Sequence, residues 1–234
     1  MSGITKYWFL EDFNILQVLG KPSLLYLVNN LEMDNYNKGA TLSLFNDGKR
    51  TIYFLKKGTV KIVNPLSDTV KYVVSPGHVF GESALYQKDI VDNEIAYALE
   101  DCIICSIDSD DLEALLEKNK SLKKGFIRLS GLKIKKLEKR LDNLLNMDSK
   151  TRIREFITNY IEEFAITNEA GHLIAKNLLS HKDIANLTNT SRQTASNVMS
   201  LMRKEGLIFY DAKTISKQTH SMKNLIYQIL DESV

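Results

Sequence analysis

Hydrophobic and polar positions change rhythm along the chain. From Tyr36 to about Asp108 the apolar residues fall in short runs rich in β-branched and aromatic side chains, such as Thr51-Ile-Tyr-Phe-Leu55 and Thr59-Val-Lys-Ile-Val63. This is strand texture. Turn signals at Asn46-Asp47-Gly48, Lys57-Gly58, Asn64-Pro65 and Ser75-Pro76-Gly77 separate the runs. Short strands at this spacing predict a small antiparallel barrel or roll. No internal repeat or low-complexity tract interrupts the pattern.

From about Asp110 to Met147 the period lengthens to that of a helix. Ser109-Asp110-Asp111-Leu112 opens a short helix, with acids in the first turn where the helix dipole favours them. A longer helix is expected from about Ser121. In it Ile127, Ser130, Ile134, Leu137, Leu141 and Leu144 recur at spacings of three and four, flanked by Lys135, Lys136, Glu138 and Lys139. A narrow apolar seam on an otherwise charged helix points to a partner helix. The expectation is a homodimer whose interface is Ile127, Ile134, Leu137, Leu141 and Leu144. The alternative is a helix lying on its own domain's core.

Met147-Asp148-Ser149-Lys150 reads as a hinge, with Asp148 or Ser149 capping a helix from about Thr151 to Phe164. The rest, to about Ser216, reads as a compact winged-helix unit, and Met222 to Leu230 is a candidate for a last helix. The fold class expected is therefore α+β. An antiparallel β-roll occupies residues 1–120, a dimerisation helix 121–147 and a winged helix-turn-helix 148–234.

The sharpest local signal runs from Leu179 to Gly206. Ser180 is a natural N-cap with Asp183 at the capping-box position. Ile184 and Leu187 give a first short helix its buried side, and Ala185 is small enough for a close helix crossing. Thr188-Asn189-Thr190 is a turn in which Asn189 tolerates a left-handed backbone. Ser191 caps a second helix, whose Ala195, Val198, Met199 and Met202 form a core stripe. Arg192, Gln193, Ser196, Asn197 and Ser200 form the opposite face, which is polar and almost free of acids. Arginine can pair bidentately with guanine, and Gln or Asn with adenine. Gly206 ends the helix as a left-handed residue. Leu207 to Tyr210, a turn at Asp211-Ala212, and Lys213 to Ile215 then make a β-wing with a basic edge. A helical hairpin inside some unrelated small domain is the alternative.

Composition changes this picture little. The net charge is +2, with 44% hydrophobic and 26% charged residues, as in ordinary globular proteins. The distribution of charge matters more. Between Leu173 and Lys223 stand eight basic residues, Lys176, Lys182, Arg192, Arg203, Lys204, Lys213, Lys217 and Lys223, against Asp183, Glu205 and Asp211. A phosphate-facing surface needs such an excess, although on charge alone a solvated Lys-rich surface accounts for it. No apolar run approaches a membrane span, and Met1 to Leu10 does not read as a signal peptide. With two cysteines and no export signal, a reducing cytoplasm is the expected compartment.

Ile184 through Ile208, especially Thr190-Ser-Arg-Gln-Thr194 and Lys204-Glu-Gly-Leu-Ile208, resembles the Crp/Fnr transcription regulators. Pro76-Gly-His-Val-Phe-Gly-Glu-Ser-Ala-Leu85 is similar to that family's phosphate-binding cassette. The likeness spans roughly Tyr36 to Ser216. It implies a cyclic-nucleotide-binding-like β-roll, a dimer helix and a winged helix on double-stranded DNA with an inverted repeat. RNA polymerase is the further partner it implies. Carried over by position, Arg192, Gln193 and Asn197 read base edges. Ser180, Lys182, Ser191 and Thr194 hold phosphates, with Lys213 of the wing beside them. Asn197 departs from the arginine of the best-known cAMP-dependent members, which alters base preference.

The effector pocket implied by the resemblance comprises Gly81, Glu82, Ser83, Asp92 and Asn93 and, on the dimer helix, Arg140 and Leu141. An Arg followed by Ser or Thr should come about ten residues after Glu82 in the family pattern. Here Asp92-Asn93 stands there, and no Arg or Lys occurs from Asp89 to Asp101. A cyclic phosphate buried beside Asp92 without a cation is strongly unfavourable. No cofactor is expected, cAMP is rejected as effector, and the effector stays unassigned. Gly81 then serves the tight turn, and Glu82 is expected to cap a neighbouring backbone group.

Cys102 and Cys105 lie three apart, on opposite faces of a strand in apolar texture, which suits buried free thiols better than a redox pair. His78, His172, His181 and His220 share no metal-ligand spacing. The competing classes are a cupin-like metal-dependent enzyme, for which the His-x-His set is missing, and a ligand-sensing module that leaves DNA alone. No Walker, Rossmann or Ser-His-Asp signature supports an enzyme.

Overall fold

A computed structural model describes residues 13, 21–46, 49–85, 94–168 and 173–217. The expected helix at Met222 to Leu230 lies outside the described residues, as do Asp92, Asn93, His172 and His220. The chain divides into two compact units, Met1–Leu141 and Asp142–Val234.

The first unit is antiparallel β-structure with helices on one side. Its strands are β1 (Glu32–Tyr36), β2 (Thr41–Ser43), β3 (Phe45–Asn46), β4 (Lys49–Lys57), β5 (Val60–Asn64), β6 (Thr69–Val74), β7 (His78–Phe80), β8 (Ile95–Ala98) and β9 (Cys102–Asp108). One sheet runs β1-β9-β4-β3 with β7 also on β4, and the other runs β2-β8-β5-β6. Among the described residues, three helices belong to this unit for all or most of their length: α1 (Lys21–Asn30), α2 (Ser109–Lys118) and α3 (Lys120–Asn146). Asp108 caps α2, its carboxylate accepting from the Asp110 amide at 2.8 Å.

The alternation along β4 explains the layering. Tyr53 and Leu55 face a cluster between the sheets with Val60, Ile62, Val74, Phe80, Ala96 and Ala98. Ile52 and Phe54 face the helices, packing with Leu24 and Leu27 of α1, Leu31 just after it, Leu112 and Leu116 of α2, and Leu122 and Phe126 of α3. A strand buried on both faces reads as a continuous apolar run, as Thr51 to Leu55 does. On β9, Cys102 joins the inner cluster and Cys105 the helix side. Both are buried free thiols on opposite faces, as the strand period required.

Only the beginning of α3 is buried, at Leu122 and Phe126. Beyond it Ile134, Leu137 and Leu141 are 56%, 62% and 55% exposed, and Ile127 is exposed as well. Leu144 is half-buried. Ile134, Leu137 and Leu141 therefore stand clear of their own unit's core. Among the described residues no helix is long and apolar enough to cross a membrane.

The second unit contains α4 (Ser149–Phe164), β10 (Ile166–Thr167), β11 (Leu173–Lys176), α5 (His181–Thr188), α6 (Arg192–Lys204), β12 (Ile208–Tyr210) and β13 (Thr214–Lys217). Asp148 caps α4, its side chain accepting from the Thr151 amide at 2.9 Å. The wing hairpin β12–β13 is part of a four-stranded sheet, β10-β11-β13-β12. Sequence reading did not anticipate β10 and β11. Each is very short, and the partner of β11 is the distant segment Thr214–Ser216. The tie is reinforced where Tyr160 of α4 donates its hydroxyl to the Lys176 carbonyl at 2.8 Å.

Candidate nucleic-acid interface

The helix-turn-helix is assembled from local hydrogen bonds. Ser180 and Asp183 form a full capping box. The Ser180 hydroxyl oxygen accepts from the Asp183 amide at 3.1 Å, while the Asp183 carboxylate accepts from the Ser180 amide at 3.0 Å and from its hydroxyl at 2.7 Å. Helix α5 stops at Asn189, which takes the left-handed conformation at φ 50°. The Thr190 amide then closes on the Ala185 carbonyl at 2.9 Å. Ser191 restarts the helix, accepting from the Thr194 amide at 3.0 Å, and the two hydroxyls bond each other at 2.8 Å.

Helix α6 divides into two faces. Ala195, Val198, Met199 and Met202 are buried. Arg192, Gln193, Asn197 and Ser200 are exposed, and Ser196 is half-buried. The side chains of Arg192, Gln193 and Asn197 make no hydrogen bond to a described residue, so their donors and acceptors point outward uncommitted. Gly206, at φ 67°, carries the chain out of the helix, and the Leu207 amide donates back to the Met202 carbonyl at 2.9 Å.

Basic residues are exposed elsewhere in the same unit. Lys182 is exposed in the first turn of α5. Lys213 is exposed at the wing turn, which Asp211 shapes by accepting from the amides of Lys213 and Thr214, each at 2.7 Å. Those two donors hold the Asp211 carboxyl below the usual carboxylate range. Asn177 fixes the same turn, donating its amide to the Lys213 carbonyl at 2.8 Å and its side-chain amide to the Asp211 carbonyl at 2.6 Å. Arg203 lies over the Tyr210 ring at 5.1 Å. Ser180, Lys182, Ser191, Arg192, Gln193, Thr194, Asn197 and Lys213 thus all belong to the second unit.

One organising residue escaped the sequence reading. Arg152 of α4 donates Nε to the Thr188 carbonyl at 3.0 Å, Nη2 to the Asn189 carbonyl at 3.2 Å and Nη1 to the Met147 carbonyl at 2.6 Å. Carbonyls at the end of a helix lack intrahelical donors, and here a planar guanidinium supplies them. It sets the turn between α5 and α6 from α4, outside the polar face of α6. Nothing in the local sequence marks this role, because Thr188 and Asn189 lie some 36 and 37 residues on.

The cassette region in the first unit corrects one expectation. Gly81 adopts φ 81°, and a Cβ there would lie 2.5 Å from the Thr51 carbonyl oxygen, so the turn does require glycine. The Glu82 side chain, however, does not cap backbone. It is ion-paired with Lys133 of α3, which also donates to the Val79 carbonyl at 3.3 Å. Its second oxygen, Oε2, is buried with no hydrogen-bond partner. The absence of a cation between Asp89 and Asp101 was a local observation, and the cation beside Glu82 arrives from a distant helix. Ser83 is exposed in the 3-10 turn after Gly81. Arg140 donates Nη1 to the Lys71 carbonyl of β6 at 2.6 Å, and burial lowers its pKa. Leu141 is exposed on the seam. His78 is exposed and shares a hydrogen bond with the Ser75 hydroxyl at 2.9 Å. Among the described residues no cluster of His, Cys, Asp or Glu could hold a metal.

Known proteins show the same two-part order. Residues 33–119 match the model of the cyclic nucleotide-binding domain, and residues 152–219 match that of the Crp-like helix-turn-helix domain. The chain is 22% identical over 198 residues to the cAMP-activated global transcriptional regulator CRP of Pasteurella multocida, covering 83% of this chain and 93% of that one. It is 25% identical over 215 residues to the anaerobic regulatory protein of Haemophilus influenzae, covering 88% of this chain and 82% of that one. In fold it matches FixK2 of Bradyrhizobium japonicum with a TM-score of 0.68 and 17% identity, over 82% of this chain and 94% of the other. With both domain models matched in this order, and relatives matched along most of their length, the chain belongs to the Crp/Fnr family of transcription regulators.

Proposed function

We propose that the protein is a homodimeric, sequence-specific regulator that reads DNA with α6 and whose β-roll sets its activity without binding cAMP. The observation that carries the reading is the outer face of α6. It offers Arg192, Gln193 and Asn197 exposed and uncommitted, with no acid between Arg192 and Lys204. Groups with no internal partner lose no bond on turning to a base edge, so little reorganisation opposes binding. Lys182 in the first turn of α5 and Lys213 at the wing turn are exposed cations of the same unit, which supports a role for them in holding phosphates. The family is one of transcription regulators, not enzymes, which removes the cupin-like alternative.

Dimerisation is supported by the exposed seam of α3. Pairing Ile134, Leu137 and Leu141 with a second copy would bury side chains that the single chain leaves in water. A two-fold dimer calls for an inverted repeat with half-site centres about one helical turn, roughly 34 Å, apart. RNA polymerase and a cytoplasmic setting follow from the same reading. The relative from Pasteurella multocida is cAMP-activated by name. In this chain Lys133 is already engaged by Glu82 and Val79, and no Arg or Lys falls within 89–101 to meet a phosphate.

Footprinting with the full-length protein tests the proposal. An inverted repeat should be protected. Arg192→Ala should cost about 1–3 kcal/mol on that site and relax preference at one base pair per half-site. Equal losses on random and specific DNA would show that α6 is not the reading helix.

A further inference from the structure

We infer that α6 specifies a half-site with a single guanine accompanied by two A·T pairs, with Gln193 and Asn197 each reading an adenine. The inference rests on the DNA-reading role of α6 and deepens it.

In the major groove guanine shows two acceptors, adenine one donor and one acceptor, and cytosine a donor from its amino group. Two donors on one side chain therefore select guanine, a carboxamide selects adenine, and a carboxylate is needed to select cytosine directly. The exposed face of α6 carries one uncommitted guanidinium, at Arg192, and two carboxamides, at Gln193 and Asn197. It has no carboxylate. Glu205, the acid just past the helix, is engaged by Arg154 at 2.7 Å. Arg203 lies at the other end of the helix over Tyr210, which leaves Arg192 as the guanine reader. Ser196 and Ser200 are short hydroxyls that tolerate either base.

The spacing agrees. Gln193 and Asn197 are four residues apart, on one side of the helix and about 6 Å apart along its axis. Base pairs rise about 3.4 Å per step. The two carboxamides therefore span just under two steps and can meet adenines on neighbouring or next-neighbouring pairs. Arg192 sits beside Gln193 at the N-terminal end, so the guanine belongs at the edge of the A·T pairs rather than between them.

Selection of full-length protein on a library with randomised half-sites tests this, with Arg192→Ala, Gln193→Glu and Asn197→Ala compared. All three positions are exposed, so the buried stripe is untouched and circular dichroism should confirm folded variants. The expected result is one G·C pair and two adjoining A·T pairs in each half-site. Gln193→Glu should turn one A·T preference toward C·G, shifting the ratio of affinities on the order of ten- to a hundred-fold. Asn197→Ala should relax the other. A specific site that loses its guanine in Arg192→Ala, yet keeps further G·C pairs and ignores both carboxamide changes, would overturn the inference and leave the reading role of α6 standing. No enriched sequence, or enrichment unchanged in Arg192→Ala, would remove both.

Discussion

Arg152 holds the Thr188 carbonyl with its Nε at 3.0 Å, and so ties the first helix of the second unit to the turn that aims α6. The same guanidinium reaches Met147 and Asn189. Bonds from a charged donor contribute more than neutral ones. Arg152→Ala should therefore destabilise the protein by about 1.5–3 kcal/mol, read as a lower urea midpoint for the second unit. Arg152→Lys should recover only part, because an ammonium cannot fork among several carbonyls. An unchanged midpoint in Arg152→Ala would sink the clamp.

The exposed seam predicts assembly. Glutamates at both Leu137 and Leu141 would bring buried like charges together in a paired helix. The double variant should sediment as a monomer in analytical ultracentrifugation, against a dimer for the unchanged chain. A dimer in both samples would show that α3 is not the interface.

Lys133 and Glu82 predict the behaviour of the first unit. The Glu82 side chain is only 7% exposed and Lys133 about a third exposed, so removing the ammonium strands a carboxylate in a largely dry site. Lys133→Met should destabilise by on the order of 1–3 kcal/mol after allowance for that exposure. Adding Glu82→Gln should restore part of the loss, and a double-mutant cycle measures the coupling. In calorimetry cAMP should give no micromolar binding to the unchanged protein. Saturable micromolar heat would overturn cAMP independence.

Lys182 and Arg192 should respond differently to salt. Lys182 lies exposed at the start of α5, and Arg192 starts the outer face of α6 that is proposed to read bases. Lys182→Ala should weaken all sequences alike and lower the slope of log affinity against log salt by about one. Arg192→Ala should act mainly on the specific site. Fluorescence anisotropy titrations across salt concentrations separate the two.

Burial pushes the Cys102 thiol up to about 11, from an ordinary value of 9.0. Between those values the unfolded chain releases a proton that the folded chain keeps. Stability should therefore fall as pH rises through 9 toward 11, with no contribution from this group below that window. Iodoacetamide at pH 8 should leave Cys102 unmodified until denaturant is added. Rapid labelling of the native protein would contradict its placement in the inner cluster.

How much was legible depended on how far each partner lay along the chain. The caps at Ser180 and Ser191, the left-handed Asn189 and Gly206, and the buried stripe of α6 are satisfied within a few residues, and the sequence shows them directly, while of Asp148 and Ser149, both candidates for the cap of α4, Asp148 takes that place. The strand texture of β4 and β5 was equally plain. Strands β10 and β11 were not, because a few residues have no period to read and acquire their role by pairing, β11 with Thr214–Ser216 and β10 with β11. Arg152 and Lys133 resemble any other exposed cation in sequence. Their meaning comes from Thr188 and Glu82, which only the folded chain brings near. Glu82 was accordingly misread as a cap.

The uncovered strip on α3 has a consequence for dosage. A regulator that pairs through those leucines and isoleucines and binds DNA only when paired answers to mass action before it answers to any signal. While most copies are single, the paired form grows with the square of their number, so doubling synthesis would raise it about fourfold. The response of target promoters would then be steeper than linear in expression. Modest changes in synthesis or degradation of the regulator could switch its targets with no small molecule involved.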